Sequence, residues 1–225
     1  MRVEARSVDF AYGDDGFRLR IPELKIEPGE RVAMVGASGC RKTTLLRLLA
    51  GIVPPQAGTV RVGEFQLSGL DDDPLRAFRI QNIGFVFQDF RLIDYLNVRE
   101  NLRLPWRLNA ALEWTGEVDA RMRKLAESLQ LEDKLNSPID ELSQGEQQRT
   151  AIGRALLPQP GLILADEPPG NLAPDNKTRI LDLLFEQAEK NKSTLVMATH
   201  DHGLLKQFDR VIDFAQFHQK EAAHA

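Results

Sequence analysis

An apolar segment that runs directly into a glycine-bearing loop and then a leucine-rich stretch limits what this 225-residue chain can fold into. The apolar segment is RVAMV at 31–35, the loop is GASGCRKT at 36–43, and leucines recur at helical spacing through 42–50. A short, almost continuous apolar run is typical of a strand that a parallel sheet buries on both faces. These residues therefore predict a strand–loop–helix unit in an α/β fold.

The rest of the chain predicts two kinds of β-structure. Alternating apolar positions and glycine-bearing turns indicate short antiparallel strands at 3–10, 17–26 and 59–67. Farther along, strands are predicted at 83–87, 162–165, 194–199 and 210–214, with helical stretches at 97–130 and 175–190. Strands that alternate with helices imply a mainly parallel sheet covered on both faces. The length suits one domain over residues 1–225.

The composition limits which binding partners and which cellular compartment are expected for this chain. The formal net charge of −4 and the pI of about 5.7 lack the basic excess of proteins that neutralise many phosphates, so no nucleic acid is expected. No apolar run approaches the roughly twenty residues that cross a bilayer. The single cysteine, Cys40, excludes an internal disulfide and suits a reducing compartment, so we expect a cytoplasmic protein. Cys40 is interpreted as a small loop residue.

The loop at 36–43 fits the phosphate-binding frame G-x-x-x-x-G-K-S/T at every fixed position but one. In this frame backbone N–H groups and the helix N-terminus surround phosphate, Lys42 supplies charge, and the Thr43 hydroxyl can ligate magnesium. The alternative is a Gly-Ser turn before an unrelated leucine helix. The residues expected to contact nucleotide are Gly36, Ala37, Ser38, Gly39, Cys40, Arg41, Lys42, Thr43 and Thr44.

Arg41 stands where the frame has its second glycine. If phosphate binding demands a glycine-like backbone there, an arginine costs about 1–3 kcal/mol of strain, which corresponds to a roughly 5- to 150-fold loss of affinity. A guanidinium beside phosphate returns part of that loss. We therefore expect weakened but not abolished binding of a nucleotide.

Two acidic residues, Asp166 and Glu167, follow the apolar run at 162–165. They fall at the edge of a parallel sheet where ligands gather, although such a pair also suits a helix cap or a loop. Upstream, Ser143 and Glu146 have the S-x-x-E spacing of a capping box at a helix start. A capping box does not explain Gly145 or the Gln-Gln-Arg that follows.

Taken together, the octapeptide LSQGEQQR at 142–149, the run LILADE at 162–167 and the phosphate loop resemble the ATP-binding cassette family over essentially the whole chain. The segments FVFQDFRLI, NVRENLRLP and GNL resemble sequences of the branch that serves macrolide export, lipoprotein release and bacterial cell division. The resemblance implies a phosphate-loop ATPase core, an N-terminal antiparallel β subdomain and a helical insertion at about 88–140.

The resemblance also assigns roles within one copy of the chain. Asp166 would contact magnesium through water, Glu167 would act as the general base, and Gln88 would contact magnesium and the attacking water. His200 would contact the γ-phosphate and Tyr12 would stack on adenine. On its own, a histidine at a strand end is usually structural, and an aromatic residue ending an edge strand is usually a packing residue. The implied cofactors are ATP and Mg²⁺, with Thr43, Gln88 and Asp166 on the metal.

Across a dimer, the resemblance places Ser143 and Gly145 on the γ-phosphate of ATP held by the facing subunit. The expected protein binds and hydrolyses Mg-ATP in a head-to-tail dimer with an identical or related ATPase. It would drive a separate integral membrane permease from the inner face of the cell membrane.

Two other functions stay open at this stage. Arg41, Pro169 and Ala173 depart from the family pattern around one reaction centre, which motivates an impaired, nucleotide-responsive scaffold subunit. A DNA-repair or chromosome ATPase shares the nucleotide-binding head. The chain lacks the long coiled coil, zinc cysteines and basic face that such a protein would carry.

Overall fold

Two β-sheets share one apolar core in the computed structural model, which describes residues 1–13, 18–37, 41–109, 112–168 and 174–217. The strands are β1 (Val3–Ala11), β2 (Arg18–Ile26), β3 (Arg31–Val35), β4 (Ala57–Val62), β5 (Phe65–Gln66), β6 (Ile83–Val86), β7 (Leu162–Asp166), β8 (Thr194–Ala198) and β9 (Arg210–Asp213). The helices are α1 (Lys42–Leu49), α2 (Asp72–Asn82), α3 (Val98–Leu108), α4 (Gly116–Ser128), α5 (Gln144–Leu156) and α6 (Pro174–Lys190).

The first sheet is antiparallel, in the order β2-β1-β4-β5, as the alternating N-terminal pattern predicts. The predicted strand segment at 59–67 falls within a hairpin of β4 and β5. Its turn contains Gly63, whose φ of 58° lies in the left-handed region that glycine adopts readily.

The second sheet is parallel, in the order β6-β7-β8-β3-β9. Every residue of β7 and β8 is buried, which explains why both strands read as continuous apolar runs. Residues on one face of this sheet join the core shared with the first sheet. Residues on the other face pack against α3, α4, α5 and α6 in a second apolar cluster that includes Leu102, Met122, Ile152, Ile163 and Leu184.

The segment predicted as helical at 97–130 contains two helices, α3 and α4. They are followed by short 3-10 turns at Glu132–Lys134 and Ile139–Glu141 before α5 begins. The limits of the helical subdomain at about 88–140 stay a prediction. In the described part of the chain, no helix combines the length and the apolar character that crossing a membrane requires.

The predicted capping box starts α5. The Glu146 amide donates to the Ser143 Oγ at 3.4 Å, and the Ser143 amide donates to Glu146 Oε2 at 2.8 Å. These bonds satisfy N–H groups that the first turn of a helix leaves without intrahelical partners. The interpretation of Ser143 and Glu146 as a capping box is therefore confirmed, and it does not involve Gly145.

Gly84 is the point of closest approach between β6 and α5. A Cβ placed on Gly84 would lie 2.5 Å from the Ala155 carbonyl oxygen and 2.8 Å from Pro160 Cγ. Because a backbone carbonyl yields little, only glycine lets this strand lie so near the helix.

We predict that Gly84→Ala destabilises the chain by about 1–3 kcal/mol, because the added methyl overpacks the contact with α5. For a chain of this length that corresponds to a fall of about 2–4 °C in melting temperature per kcal/mol, measured by calorimetry. Gly116→Ala is the matched control, since a Cβ there meets no atom within 4 Å. Equal melting temperatures for the two variants would contradict the packing argument.

Candidate functional site

A pocket of about 440 Å³ opens where the loop after β3 meets the end of β7. It collects most of the residues that the sequence predicts for nucleotide, metal and catalysis within one copy. Its lining residues are Tyr12, Arg41, Lys42, Thr43, Thr44, Arg47, Gln88, Asp166 and Glu167. All of them except Arg47 are predicted from the sequence.

A hydrogen bond joins the two halves of this pocket. The Thr43 hydroxyl donates to Asp166 Oδ2 at 2.7 Å, although 123 residues separate them. Asp166 is only 5% exposed, and this burial raises the pKa of its carboxyl, which the hydrogen bond from Thr43 partly opposes. Two hard oxygen donors, the Thr43 hydroxyl and the buried Asp166 carboxyl, therefore lie side by side. This pair suits a small divalent cation.

Lys42 is folded back over the start of its own loop. Its Nζ donates to the carbonyl oxygens of Gly36 at 2.9 Å and Ala37 at 3.4 Å, and the residue is 6% exposed. The same Nζ lies 3.8 Å from Glu167 Oε1. One ammonium group thus connects the loop after β3 with the acid that follows β7.

Glu167 is held from its backbone and from its side chain. Its amide donates to the Ala198 carbonyl oxygen at 3.0 Å, and its Oε2 lies 3.0 Å from the Nδ1 of His200. Its φ of 47° is in the left-handed region, which a residue with a Cβ seldom occupies. Such backbone strain persists only where the surroundings fix it, and it clusters at functional sites.

Arg41 has a left-handed backbone, with φ 63° and ψ 40° at the position before α1. This is the glycine-like backbone on which the expected loss of ATP affinity depends, and that loss stays a prediction. The Arg41 Cζ lies over the ring of Tyr12, 5.4 Å from its centroid. No local sequence pattern predicts this contact, because 29 positions separate the two residues.

Gln88 enters the pocket from a segment with unusual backbone geometry. Phe90 and Arg91, which follow it closely, have φ values of 58° and 52°. Their carbonyl oxygens accept hydrogen bonds from the Arg154 guanidinium on α5, at 2.7 Å and 2.5 Å. Burial lowers the pKa of Arg154 to about 10. Arg154 thus ties the segment after Gln88 to the helix that begins beside Ser143.

The remaining predicted site residues lie elsewhere or cannot be placed. Ser143 and Gly145 are at the start of α5 and do not line the pocket. Ser38, Gly39 and Cys40, together with Pro169 and Ala173, lie outside the described residues.

Arg47 is the pocket residue that sequence reasoning missed. It is four residues after Thr43 on α1, so the two side chains share one face of the helix. Its positive charge acts to lower the pKa of Asp166, against the effect of burial. The helical spacing of four residues from Thr43 is the sequence signal that could have identified Arg47.

A second concave surface lies away from this pocket. We call it the apolar groove: a cavity of about 300 Å³ between α2, β6, α3 and α5, lined mainly by apolar side chains that include Ile52, Phe85, Phe87, Leu104 and Leu108. Ile52 and Leu108 are 42% and 66% exposed, so large apolar side chains reach the surface at this groove.

Comparisons with known proteins agree with this geometry. The sequence matches the family described as "ABC transporter" over residues 19–170. It is 41% identical to the uncharacterized ABC transporter ATP-binding protein YvcR of Bacillus subtilis, over 80% of this chain and 68% of that protein. It is 36% identical to the lipoprotein-releasing system ATP-binding protein LolD of Xanthomonas oryzae pv. oryzae, over 99% of this chain and 91% of that protein.

Two solved structures share the fold across nearly the whole chain. One is the dimeric structure of MJ0796, described as a bacterial ABC transporter cassette, with a TM-score of 0.85 and 34% identity over 94% of this chain and 93% of that chain. The other is a dimeric post-hydrolysis state of MJ0796 bound to ADP and Pi, with a TM-score of 0.86 and 32% identity over 99% and 97%.

These findings confirm the resemblance inferred from the motifs, including the lipoprotein-release branch. They give no support to the impaired-scaffold alternative or to a DNA-repair ATPase. The chain therefore belongs to the ABC transporter family, as an ATP-binding subunit that hydrolyses ATP.

Proposed function

We propose that the pocket around Lys42 and Asp166 is the Mg-ATP site of this subunit. The observation that carries the proposal is the 2.7 Å bond from Thr43 to Asp166, which brings the phosphate loop and the acids after β7 into one cavity. Lys42 and the N-terminus of α1 supply positive potential for the phosphates, and Tyr12 supplies a ring for the base.

Magnesium fits the oxygen donors of this pocket. Thr43, Asp166 and Gln88 would hold it, and its chemistry there would be to neutralise charge on the terminal phosphates. Among the described residues no group of three or more His, Cys, Asp or Glu side chains could hold a metal ion. Magnesium usually keeps several waters and binds through one or two carboxylates plus substrate phosphates, so the nucleotide and water would supply its other ligands.

Glu167 has the position of a general base. Its carboxylate lies between Lys42 and His200, at 3.8 Å and 3.0 Å, so two partners fix its direction. A carboxylate held in this way can accept a proton from the water that attacks the γ-phosphate. His200 would keep Glu167 in place and contact the γ-phosphate.

We predict that Glu167→Gln lowers steady-state phosphate release by about 10²- to 10⁴-fold, because the amide cannot accept the proton from water. Mg-ATP affinity, measured by equilibrium binding, should stay within a few-fold of the unmodified chain. Glu23→Gln, an exposed residue on β2, is the matched control and should hydrolyse ATP normally. Unchanged phosphate release in Glu167→Gln would refute this role.

The raised pKa of Asp166 has a consequence for stability. The stability that this carboxyl contributes is fully present below its ordinary pKa of about 4 and is lost as the pH rises through the higher pKa of the folded state. An asparagine side chain in its place would stay neutral, and its carbonyl could still accept the bond from Thr43. Asp209 affects stability in the opposite direction, because the hydrogen bond from Arg31 lowers its pKa. The stability that it contributes is present above its ordinary pKa and is lost as the pH falls through the lower pKa of the folded state.

We therefore predict that Asp166→Asn raises the melting temperature of the nucleotide-free chain at pH 7–8. The rise should be about 2–4 °C for each kcal/mol by which the free energy of unfolding increases when the buried carboxyl is removed. The gain should shrink as the pH falls toward 4, and magnesium-dependent ATP binding should weaken. Asp209→Asn should instead lower the melting temperature at neutral pH. A gain for Asp166→Asn that does not depend on pH would contradict the electrostatic explanation.

We also propose that the site is completed by a second subunit. Ser143 and Gly145 lie at the N-terminus of α5, where the helix dipole favours an anion, yet they do not line the pocket of their own copy. The MJ0796 cassettes of the same fold are dimeric. A head-to-tail pair, formed by two copies or by one copy and a related ATPase, would place Ser143 of each on the nucleotide of the other.

The apolar groove is the proposed docking site for the membrane permease. Arg91, three positions after Gln88, and Arg154 both line the groove, and the Arg154 guanidinium bonds the carbonyl oxygen of Arg91. A permease seated there would therefore be linked to both parts of the ATP site. Docking would hold the chain on the inner, cytoplasmic face of the membrane. The helical subdomain proposed for about 88–140 carries one wall of this groove.

We predict that Leu108→Glu reduces recovery of the permease with the tagged chain by tenfold or more, because a charge would enter an apolar contact (about 1.4 kcal/mol is tenfold). The permease would first be identified by mass spectrometry of membrane proteins purified with the unmodified chain. Val211→Glu, at a residue 43% exposed on β9, is the matched control. Equal recovery with both variants would exclude docking at the groove.

A further inference from the structure

Arg41 and Tyr12 form a contact at the mouth of the proposed nucleotide pocket. The guanidinium Cζ of Arg41 is 5.4 Å from the Tyr12 ring centroid, within the range of a cation–π interaction. Both residues line the same cavity as Lys42 and Thr43. The backbone of Arg41, with φ 63°, directs the side chain from the end of the phosphate loop toward the ring.

The ring of Tyr12 is fixed from another direction. Phe10, which is 6% exposed, packs edge-to-face against Tyr12 with ring centroids 4.7 Å apart. Such a pair holds the aromatic plane in place, so the ring cannot turn freely to present a new face. A planar ligand that stacks on the ring face covered by Arg41 must therefore displace the guanidinium.

We propose that Arg41 competes with the nucleotide base for the ring of Tyr12, which makes Arg41 a specificity-determining residue. This inference rests on the proposed ATP site. Stacking of the base requires the guanidinium to leave the ring, so the base contributes less to affinity than an uncovered tyrosine would allow. The triphosphate, which meets Lys42, Arg47 and the N-terminus of α1, then supplies a larger share of the binding energy.

Two ligands separate this competition from other effects of Arg41. Mg-ATP carries both base and triphosphate, whereas Mg-tripolyphosphate carries only the phosphates. Strain in the left-handed backbone and charge next to the phosphates affect both ligands alike. Competition for the Tyr12 ring affects only ATP, so the ratio of the two affinities reports it.

The experiment measures both affinities by calorimetry in five proteins: the unmodified chain, Arg41→Ala, Arg41→Gly, Tyr12→Ala and the Arg41→Ala/Tyr12→Ala double variant. Arg41→Ala keeps a Cβ at φ 63° but removes the guanidinium. It should raise the ratio of ATP to tripolyphosphate affinity about two- to fivefold. Arg41→Gly should raise the ratio equally, because it removes the same guanidinium, and any change in backbone strain should alter both affinities by one factor and leave the ratio unaffected.

Tyr12→Ala should remove the effect, so that adding Arg41→Ala in that background leaves the ratio unchanged. Arg47→Ala is the matched control: it deletes a guanidinium from the same pocket and should weaken both ligands by a similar factor. The inference is overturned if Arg41→Ala leaves the ratio unchanged, or if the ratio rises as much without Tyr12 as with it.

A Lys42→Ala variant distinguishes failure of the inference from failure of the site. If Lys42→Ala greatly weakens binding of both ligands while Arg41→Ala leaves their ratio unchanged, the proposed ATP site is supported and the competition for Tyr12 is refuted. If Lys42→Ala leaves the binding of both ligands unchanged, the proposed ATP site itself is wrong.

Discussion

The hydrogen bond from Thr43 to Asp166 depends on the register of three parallel strands. In the sheet, β8 lies between β3 and β7, and both Met34 and Asp166 stand opposite Ala198. The ends of β3 and β7 are therefore level, so the loop that follows one reaches the acids that end the other. A shift of one residue in either pairing would move Asp166 away from Thr43 and would turn buried apolar side chains to the opposite face.

Two residues next to this contact in sequence have left-handed backbones despite carrying side chains: Arg41, two positions before Thr43, and Glu167, directly after Asp166. Each is held by specific partners: Glu167 by Ala198, Lys42 and His200, and Arg41 by the ring of Tyr12. Backbone strain of this kind costs about 1–3 kcal/mol per residue and is retained where the surrounding structure enforces it. The buried charge of Asp166 adds a further cost at neutral pH. Folding thus tolerates local losses at the pocket that the packed sheet offsets elsewhere.

The parts of the structure that local pattern dictates could be predicted. The run at 31–35 is a central buried strand, Ser143 caps α5, and Asp166 ends β7, because each depends on residues close in sequence or on the edge rule for parallel sheets. The contact between Arg41 and Tyr12 spans 29 positions, and the bonds from Arg154 to the segment after Gln88 span more than 60. Contacts of that range depend on how the sheets and helices pack, which no local pattern encodes.

Complementation between two inactive variants tests the two-subunit site most directly. Lys42→Ala loses the phosphate-loop lysine but keeps Ser143, whereas Ser143→Arg blocks the tip of α5 but keeps Lys42. If the site is shared between copies, a mixed dimer has one intact site, and an equal mixture should recover up to about a quarter of normal ATP hydrolysis. If each copy carries a complete site, the mixture should show no more hydrolysis than the sum of the two variants measured separately, which would contradict the account.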